Sequence, residues 1–218
     1  MIAAGRVSVN GMPAAAGQDV TPGIDEVRFD GEVVRSPQQQ TYLLLNKPVG
    51  VLSSVGDARG RATVVDHLPA DTGRVFPVGR LDLDSRGLIL LTDDGELASK
   101  LMHPRYHVEK EYVVAISGCP EAQSLRRLAE GMVVKGESFA PVTVRLLETG
   151  TSQSRVRMVL KEGKRREIRR LWQALGHRVL DLQRVRLDGL QLGDLPEGSW
   201  RRLESHEVAA VRTAAGLA

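Results

Sequence analysis

The sequence predicts an α+β fold with a mixed, largely antiparallel sheet flanked by helices. Short apolar or alternating segments recur along the chain, and only a few segments have helical periodicity. With 218 residues, 42% of them hydrophobic, the chain can bury about 70% of the surface that its unfolded form exposes. Cys119 is the only cysteine, which excludes a disulfide within the chain. The core must therefore form by packing alone.

Differences in composition divide the chain into segments. Residues 1–36 alternate short strand-like pieces with glycine turns and carry three basic and five acidic side chains, a net charge of −2. Residues 37–41 are polar and begin at Pro37, as expected for a linker. Residues 42–206 contain the remaining predicted elements and form the main domain. Residues 207–218 are rich in alanine, which predicts a short helix or a C-terminal tail.

The elements of the main domain follow from local patterns. Apolar or alternating runs predict strands over 42–45, 88–91, 112–116, 142–147, 155–160 and 179–187. Helical spacing predicts helices over 94–102, 121–130 and 164–175. The run 88–91 is continuously apolar, which is typical of a strand buried on both faces. Asp94 is expected to cap the first helix, and Gly131 to end the second.

The third predicted helix also allows its arginines to be placed. Its buried stripe consists of side chains with i, i+3, i+4, i+7 spacing, namely Ile168, Leu171, Trp172 and Leu175. At about 100° per residue, Arg165 and Arg169 fall on one border of this stripe, whereas Arg166 and Arg170 point to solvent. Border arginines can reach an interior carboxylate, and outward arginines can contact phosphates.

Positive charge is concentrated in the stretch 155–170. It holds eight basic residues against two glutamates, a net charge of +6, in a chain whose net charge is +3. Such a concentration is typical of a surface that binds a polyanion, most often a nucleic acid. A solvated helix face could have the same composition.

The most distinctive segment runs from Gly79 to Gly95. It places Arg80 and Asp82 between a glycine turn and the apolar strand, so that a carboxylate lies at the mouth of a buried strand. Asp84 would lie on the same face of an extended segment, which leaves a paired-carboxylate glycosidase mechanism open. The pattern indicates an active site.

This segment closely resembles the signature of the RsuA family of bacterial pseudouridine synthases, which isomerise one uridine of ribosomal RNA. Segments 46–50, 161–177 and 193–200 also match the family, in the family's order. Residues 5–11 and 23–27 resemble the second half of the S-four-like RNA-binding module that precedes the catalytic domain in this family. The first half is absent. Either the module starts upstream of Met1, or docking uses the catalytic domain alone, and a β extension that covers a sheet edge would look similar.

The resemblance implies roles for individual residues. Asp82 would be the nucleophile, Arg80 would fill the stack that the flipped uridine leaves, Tyr112 would stack on the base, and Arg169 would pair with Asp82. Lys47, at the turn of the first motif, could contact phosphate. The remaining candidates for contact with RNA are the basic side chains Lys164, Arg165, Arg166 and Arg170. Other interpretations stay open: an ion pair for Arg80, core packing for Tyr112, and an exposed turn lysine for Lys47.

We therefore expect the isomerisation of a specific uridine to pseudouridine in ribosomal RNA, with large-subunit RNA preferred. The alternatives are a non-catalytic RNA-binding or ribosome-assembly factor and an enzyme acting on small-subunit RNA. Neither a cofactor nor a metal is expected, because the five histidines and one cysteine lack ligand spacing. No run approaches the roughly 20 apolar residues of a membrane span. The expected protein is a cytoplasmic monomer, without a membrane partner, that binds ribosomal RNA or a pre-ribosomal particle.

Overall fold

The computed structural model describes residues 1–21, 24–34 and 40–217. The chain divides into two compact units, Met1–Gln40 and Thr41–Ala218. Of the linker predicted at 37–41, residues 37–39 lie outside the described residues.

The first unit contains a four-stranded antiparallel sheet in the order β2-β1-β3-β4. Its strands are β1 (Val7–Val9), β2 (Met12–Pro13), β3 (Val27–Phe29) and β4 (Glu32–Val33). The two hairpins turn through Asn10-Gly11 and Asp30-Gly31, all with positive φ, which matches the right-handed twist of the flanking strands. Among the described residues of this unit, Val9 is the one buried hydrophobic side chain. The unit therefore has very little core.

The second unit is built on a nine-stranded mixed sheet in the order β11-β12-β8-β13-β7-β5-β15, with β14 beside β13 and β6 beside β7. Strands β13 and β7 are parallel, and the other paired strands are antiparallel. The strands of the second unit are β5 (Tyr42–Lys47), β6 (Phe76–Pro77), β7 (Arg86–Thr92), β8 (Lys110–Ser117), β9 (Met132–Val134), β10 (Glu137–Phe139), β11 (Thr143–Glu148), β12 (Gln153–Leu160), β13 (Val179–Leu187), β14 (Leu190–Gln191) and β15 (Trp200–Arg202). Strands β9 and β10 form a separate two-stranded antiparallel sheet. Its helices are α1 (Gly95–Met102), α2 (Ala122–Glu130), α3 (Glu167–Ala174) and α4 (Ser205–Ala214). The predicted fold class is confirmed.

Strand β7 is the central element for the site. Leu88 and Leu90 pack into one hydrophobic cluster, and Ile89 and Leu91 pack into another. All four side chains are fully buried, as the continuous apolar run predicts. The segment that carries Asp82 therefore leads directly into a rigid strand.

The first residue of a helix is set here by a capping side chain or by a backbone torsion. The Asp94 carboxylate accepts a 3.0 Å hydrogen bond from the backbone amide of Leu97, which confirms the predicted cap of α1. Helix α3 buries Ile168, Leu171 and Trp172, which confirms the apolar stripe. It begins at Glu167, three residues later than predicted, because Arg166 adopts a left-handed φ of 52°.

The C-terminal segment predicted as a helix or tail belongs to the core of the second unit. Helix α4 begins at Ser205, before the predicted boundary, and Val211 and Ala215 are buried in the cluster that contains Leu88 and Leu90.

The sequence patterns did not predict the β9–β10 hairpin. None of the helices in the described residues is long and apolar enough to cross a membrane.

Candidate active site

A loop between Gly79 and Arg86 carries the predicted catalytic residues. Segment 47–53 holds its backbone at alternate positions. Ser53 Oγ bonds both the amide and the carbonyl of Leu81 at 3.0 Å, and the amide of Gly50 donates to the carbonyl of Leu83 at 2.8 Å. Lys47 Nζ donates to the carbonyl of Ser85 at 2.7 Å. Asp82 and Asp84 lie between these anchors, and Arg80 directly precedes the first of them.

The loop borders a cavity of about 680 Å³, a volume within the range of small-molecule binding sites. Its wall includes Arg80, Asp82 and Tyr112, together with the segment 160–168 that leads into α3. The structure thus brings three distant parts of the sequence to one place. A flipped nucleotide could enter this cavity with its base inward.

Asp82 is accessible and has few partners. Its side chain is 32% exposed, and its nearest cation is Arg166, with Nη1 3.8 Å from Oδ2. No hydrogen bond of the described residues involves its carboxylate. A carboxylate with a nearby guanidinium and free oxygen lone pairs can attack an electrophilic carbon.

The observed partners of two arginines differ from the expected ones. Arg166, placed on the solvent side by the helical angle, is exposed but also makes two hydrogen bonds to the Asp84 carboxylate, at 3.0 and 2.8 Å. Arg169, expected to pair with Asp82, instead has its Nε 3.3 Å from the Asp84 carboxylate and donates to the Asp84 carbonyl at 2.6 Å. The helical angle did not apply to Arg166 because that residue precedes α3. The guanidinium of Arg166 lowers the pKa of Asp84.

Most of the basic stretch 155–170 is paired with acids. Lys164 lies 3.0 Å from Glu162, and Arg170 lies 2.6 Å from Glu137. The further pairs within 4 Å are Arg155–Glu148, Arg157–Glu111 and Lys161–Glu109. Neighbouring carboxylates therefore offset much of the positive charge of this stretch.

Arg80 and Arg165 differ from these paired cations. Both are exposed, both border the cavity, and neither side chain forms a hydrogen bond or ion pair with any described residue. The alternative interpretation of Arg80, an ion pair with a nearby acid, is thus not observed. Two unpaired guanidinium groups at the rim of a cavity suit contact with a polyanion.

Tyr112 lies on β8 and is half-buried. Its ring packs against the cluster around Trp172 and borders the cavity. Its hydroxyl has no hydrogen-bond partner among the described residues. The ring therefore contributes to the core, as one interpretation of the sequence predicts, and it also borders the cavity. Stacking on a base stays a prediction.

Lys47 does not contact solvent, so its predicted contact with phosphate is wrong. The residue is the last of β5 rather than part of a turn, and it is 0% exposed. Its Nζ also donates to the carbonyl of Pro48 at 2.8 Å. Burial lowers the pKa of this amine to about 8, although Glu197, Asp82 and Asp84 oppose the shift.

A family model described as RNA pseudouridylate synthase matches residues 41–174, more than half of the chain. The chain belongs to this family. It is 38% identical to the ribosomal large subunit pseudouridine synthase B of Bacillus subtilis, over 99% of this chain and 88% of that protein. It is 41% identical to the protein of the same name from Escherichia coli, over 97% of this chain and 75% of that protein. These relatives confirm the predicted family and enzyme class.

A crystal structure of a pseudouridylate synthase supports the same assignment. It superimposes with a TM-score of 0.74 at 29% identity and covers 96% of this chain and 90% of its own. An archaeal box H/ACA sRNP Nop10-Cbf5 complex, with a TM-score of 0.50 at 20% identity, shares only the fold. The same holds for an H/ACA RNP bound to a substrate RNA, with a TM-score of 0.51 at 19% identity.

Several residues of this pseudouridine synthase site were not predicted from the sequence. Ser53 fixes the catalytic loop, and Lys110, Glu167 and Arg184 line the inner cavity. Burial and the neighbouring Glu162 raise the pKa of Glu167. A single polar loop residue such as Ser53 carries no distinguishing signal in the sequence. In the described ranges, no group of three or more His, Cys, Asp or Glu side chains could hold a metal ion.

Proposed function

We propose that this pseudouridine synthase isomerises one specific uridine of large-subunit ribosomal RNA, with Asp82 as the nucleophile. The main support for this proposal is the position of the Asp82 carboxylate. It is accessible at the cavity wall, on a loop whose backbone is anchored at three positions. The names of the relatives from two bacteria support the choice of large-subunit RNA. We also propose that the protein acts as a monomer in the cytoplasm, on ribosomal RNA or a pre-ribosomal particle.

The reaction requires the target base to leave its stack. Unstacking costs a few kcal/mol, which contacts to the flipped nucleotide must offset. We assign Arg80 to the space that the base leaves, because its guanidinium is exposed and unpaired. Tyr112 offers its ring to the base inside the cavity. Arg165 is assigned to a backbone phosphate on the same grounds as Arg80.

The arginines near the loop have a different proposed role from the rim arginines. Arg166 and Arg169 hold Asp84 from two sides, which keeps the loop in one conformation. Arg166 also places its guanidinium 3.8 Å from the Asp82 carboxylate. We propose that both arginines position the nucleophile, whereas Lys164 and Arg170 are occupied by acids and contribute little to RNA binding.

Pseudouridine mapping of ribosomal RNA tests this proposal. A strain that lacks the gene is complemented with the wild type, Asp82→Asn, Asp84→Asn or Asp71→Asn. Asp71 is the control, because it is exposed and its side chain forms no hydrogen bond or ion pair with any described residue. We expect one large-subunit site to be lost and to return with the wild type and Asp71→Asn but not with Asp82→Asn. Asp84→Asn should restore the site in part, because Asp84 holds the loop and does not attack.

The mapping separates the proposal from its rivals. A normal site with Asp82→Asn would remove Asp82 as nucleophile. Loss of a small-subunit site would correct the substrate. An unchanged map, with salt-dependent RNA binding by the purified protein, would indicate a non-catalytic RNA-binding factor.

A further inference from the structure

Arg184 on β13 is a buried cation without an acidic partner. It is 2% exposed, and its Nε donates to the carbonyl of Leu88 at 2.7 Å. Its Nη2 is buried without any hydrogen-bond partner, and no described carboxylate forms an ion pair with it. A buried donor without a partner lowers the stability of the folded protein, and a charged one lowers it more. The cost points to a ligand that completes the site.

The sheet register places this guanidinium beside the predicted base-stacking residue. Arg184 pairs directly with Tyr112 of β8, so the two side chains lie on the same face of the sheet, and both line the cavity. On its other side Arg184 pairs with Gly87 of β7, which in turn pairs with Lys47. Tyr112, Arg184, Gly87 and Lys47 therefore form one row across four strands, close to the loop of Asp82.

Gly87 is required for this row to form. Its φ is +107°, and a Cβ at this position would lie 2.3 Å from the carbonyl oxygen of Arg184. Only glycine allows the backbones of β7 and β13 to approach so closely. The close approach brings Arg184 next to the strand that follows the catalytic loop.

Lys110 adds a second cation to the same region. It lies two residues before Tyr112 on β8, lines the cavity, and donates from Nζ to the carbonyl of Val108 at 2.9 Å. Burial and the positive charge of Arg184 lower its pKa. Apart from these groups, this part of the wall is largely apolar, with Leu101, Val108, Leu160, Ile168, Leu182 and Leu187.

We propose that Arg184, supported by Lys110, binds a carbonyl oxygen of the flipped uracil and stabilises the negative charge on the base after its bond to ribose breaks. This inference rests on the proposed function and deepens it. When the C1′–N1 bond breaks, its electron pair stays on N1, and the charge spreads to the carbonyl oxygens. In the route in which Asp82 attacks C1′, the carboxylate supplies the new bond to that carbon. The base then turns, C5 displaces the carboxylate from C1′, C5 loses a proton and N1 gains one. No oxidant or further reactant is needed.

Burial favours the base over a phosphate as the ligand. A guanidinium that is 2% exposed among apolar side chains is reached by a group that extends inward from the RNA backbone. The backbone phosphates remain outside, where Arg80 and Arg165 are exposed. Hydrogen-bond donors fixed in a water-poor site stabilise developing negative charge much more strongly than donors in water.

The experiment compares two RNA substrates, one with uridine and one with 5-fluorouridine at the target position. Fluorine withdraws electrons and stabilises the base anion, so the bond to ribose breaks with less help from the protein. Single-turnover breakage of this bond is measured for the wild type, Arg184→Gln and the control Arg186→Gln. Arg186 lies on the same strand but pairs with Glu109 and Glu111 outside the cavity. Circular dichroism and urea unfolding establish that each variant folds.

We expect Arg184→Gln to lose about 100-fold in rate on uridine, the typical effect of removing one donor to a developing anion, and about tenfold or less on 5-fluorouridine. Its KM for RNA should stay within about threefold of the wild type, and Arg186→Gln should lose the same small factor on both substrates. If Arg184→Gln does not fold, Arg184→Lys replaces it, since lysine keeps the charge but has a shorter reach. Its smaller rate loss should again shrink on 5-fluorouridine.

Equal losses on both substrates by a folded Arg184 variant would overturn the inference and leave the proposed function standing. A loss confined to KM would also overturn it, because this would indicate a phosphate contact. A wild type that converts neither RNA, nor intact ribosomal RNA from the strain without the gene, would reject the proposed function and with it this inference.

Discussion

Arg166 shows how one backbone torsion decides the partner of a charged side chain. With a φ of 52°, the residue stands outside α3, and its guanidinium reaches Asp84 and Asp82. In a continued helix the same side chain would point away from the apolar stripe. The neighbouring Arg165 remains exposed and unpaired. Two adjacent arginines therefore have different expected effects on catalysis.

We expect Arg166→Gln to lower kcat by about 10- to 100-fold, because the loop that carries Asp82 loses an anchor and a nearby positive charge. Arg165→Gln should instead raise KM and reduce the salt dependence of RNA binding by about one phosphate contact. Steady-state kinetics at several salt concentrations measure both effects. Matching effects of the two substitutions would contradict the distinction.

Because the amine of Lys47 is buried, we expect the free energy of unfolding to depend on pH in a specific way. Its pKa is about 8 in the folded protein, against an ordinary value of 10.5. Between these values the unfolded chain holds a proton that the folded protein has released, so the contribution of this group to the free energy of unfolding rises with pH. Below pH 8 the Lys47 amine is protonated in both the folded protein and the unfolded chain. Burial of its charge then lowers the free energy of unfolding by the full amount.

Relative to Lys47→Met, the wild type should therefore gain about 2 kcal/mol in free energy of unfolding from pH 7.5 to pH 10. Urea unfolding of both proteins at the two pH values gives this difference, in which the other titrating groups cancel. Lys135→Met, at an exposed position, is the control. A constant difference between wild type and Lys47→Met would show that burial does not perturb Lys47.

At the scale of elements, Asp94 connects a strand and two helices. It caps α1, accepts a 2.8 Å hydrogen bond from the Tyr42 hydroxyl of β5 and pairs with Arg212 of α4 at 2.7 Å. Burial, followed by this hydrogen bond, raises the pKa of Tyr42 to about 12. The carboxylate is 2% exposed, so its loss leaves partners that water cannot easily satisfy.

Asp94→Ala should lower the free energy of unfolding by about 3 kcal/mol, since it removes a helix cap and leaves one partner of a buried ion pair alone. Urea denaturation followed by circular dichroism measures the loss. The exposed Asp71→Ala should change stability by less than about 0.5 kcal/mol. An equally small effect of Asp94→Ala would show that water can replace the carboxylate as the partner of Arg212 and of the Leu97 amide.

At the scale of the whole molecule, the core lies in the second unit. All residues of the three hydrophobic clusters belong to this unit. The first unit has one buried hydrophobic side chain among its described residues and a net charge of −2 over residues 1–36. It is also at the size below which chains rarely fold without disulfides, metals or partners.

Residues 41–218 expressed alone should therefore unfold cooperatively within about 1 kcal/mol of the full chain and retain pseudouridine formation. Residues 1–40 alone should show no cooperative transition. Calorimetry and the mapping assay with purified fragments test both statements. Loss of the transition in 41–218 would show that the first unit is part of the same cooperative structure.

The elements differ in how far local patterns predict them. Strand β7 and the stripe of α3 follow directly from periodicity, because burial imposes one pattern on a strand enclosed on both faces and another on a helix with one buried face. The start of α3 and the β9–β10 hairpin were missed, because a left-handed residue and a short hairpin leave little periodic signal. Arg169 was correctly placed near the loop, but its partner is Asp84.

The sequence by itself determined the fold class, the family, and the segment that carries Arg80 and Asp82, since these depend on local spacing and motif identity. Only the tertiary structure decided which charges are free. Lys47 is buried at a strand end. Of the eight basic residues in 155–170, five pair with acids other than Asp84, and Arg166 and Arg169 contact Asp84. Arg165 alone of that stretch remains unpaired among the described residues. The reason is physical: an ion pair depends on a distance between segments far apart in the chain, and no local pattern contains that distance.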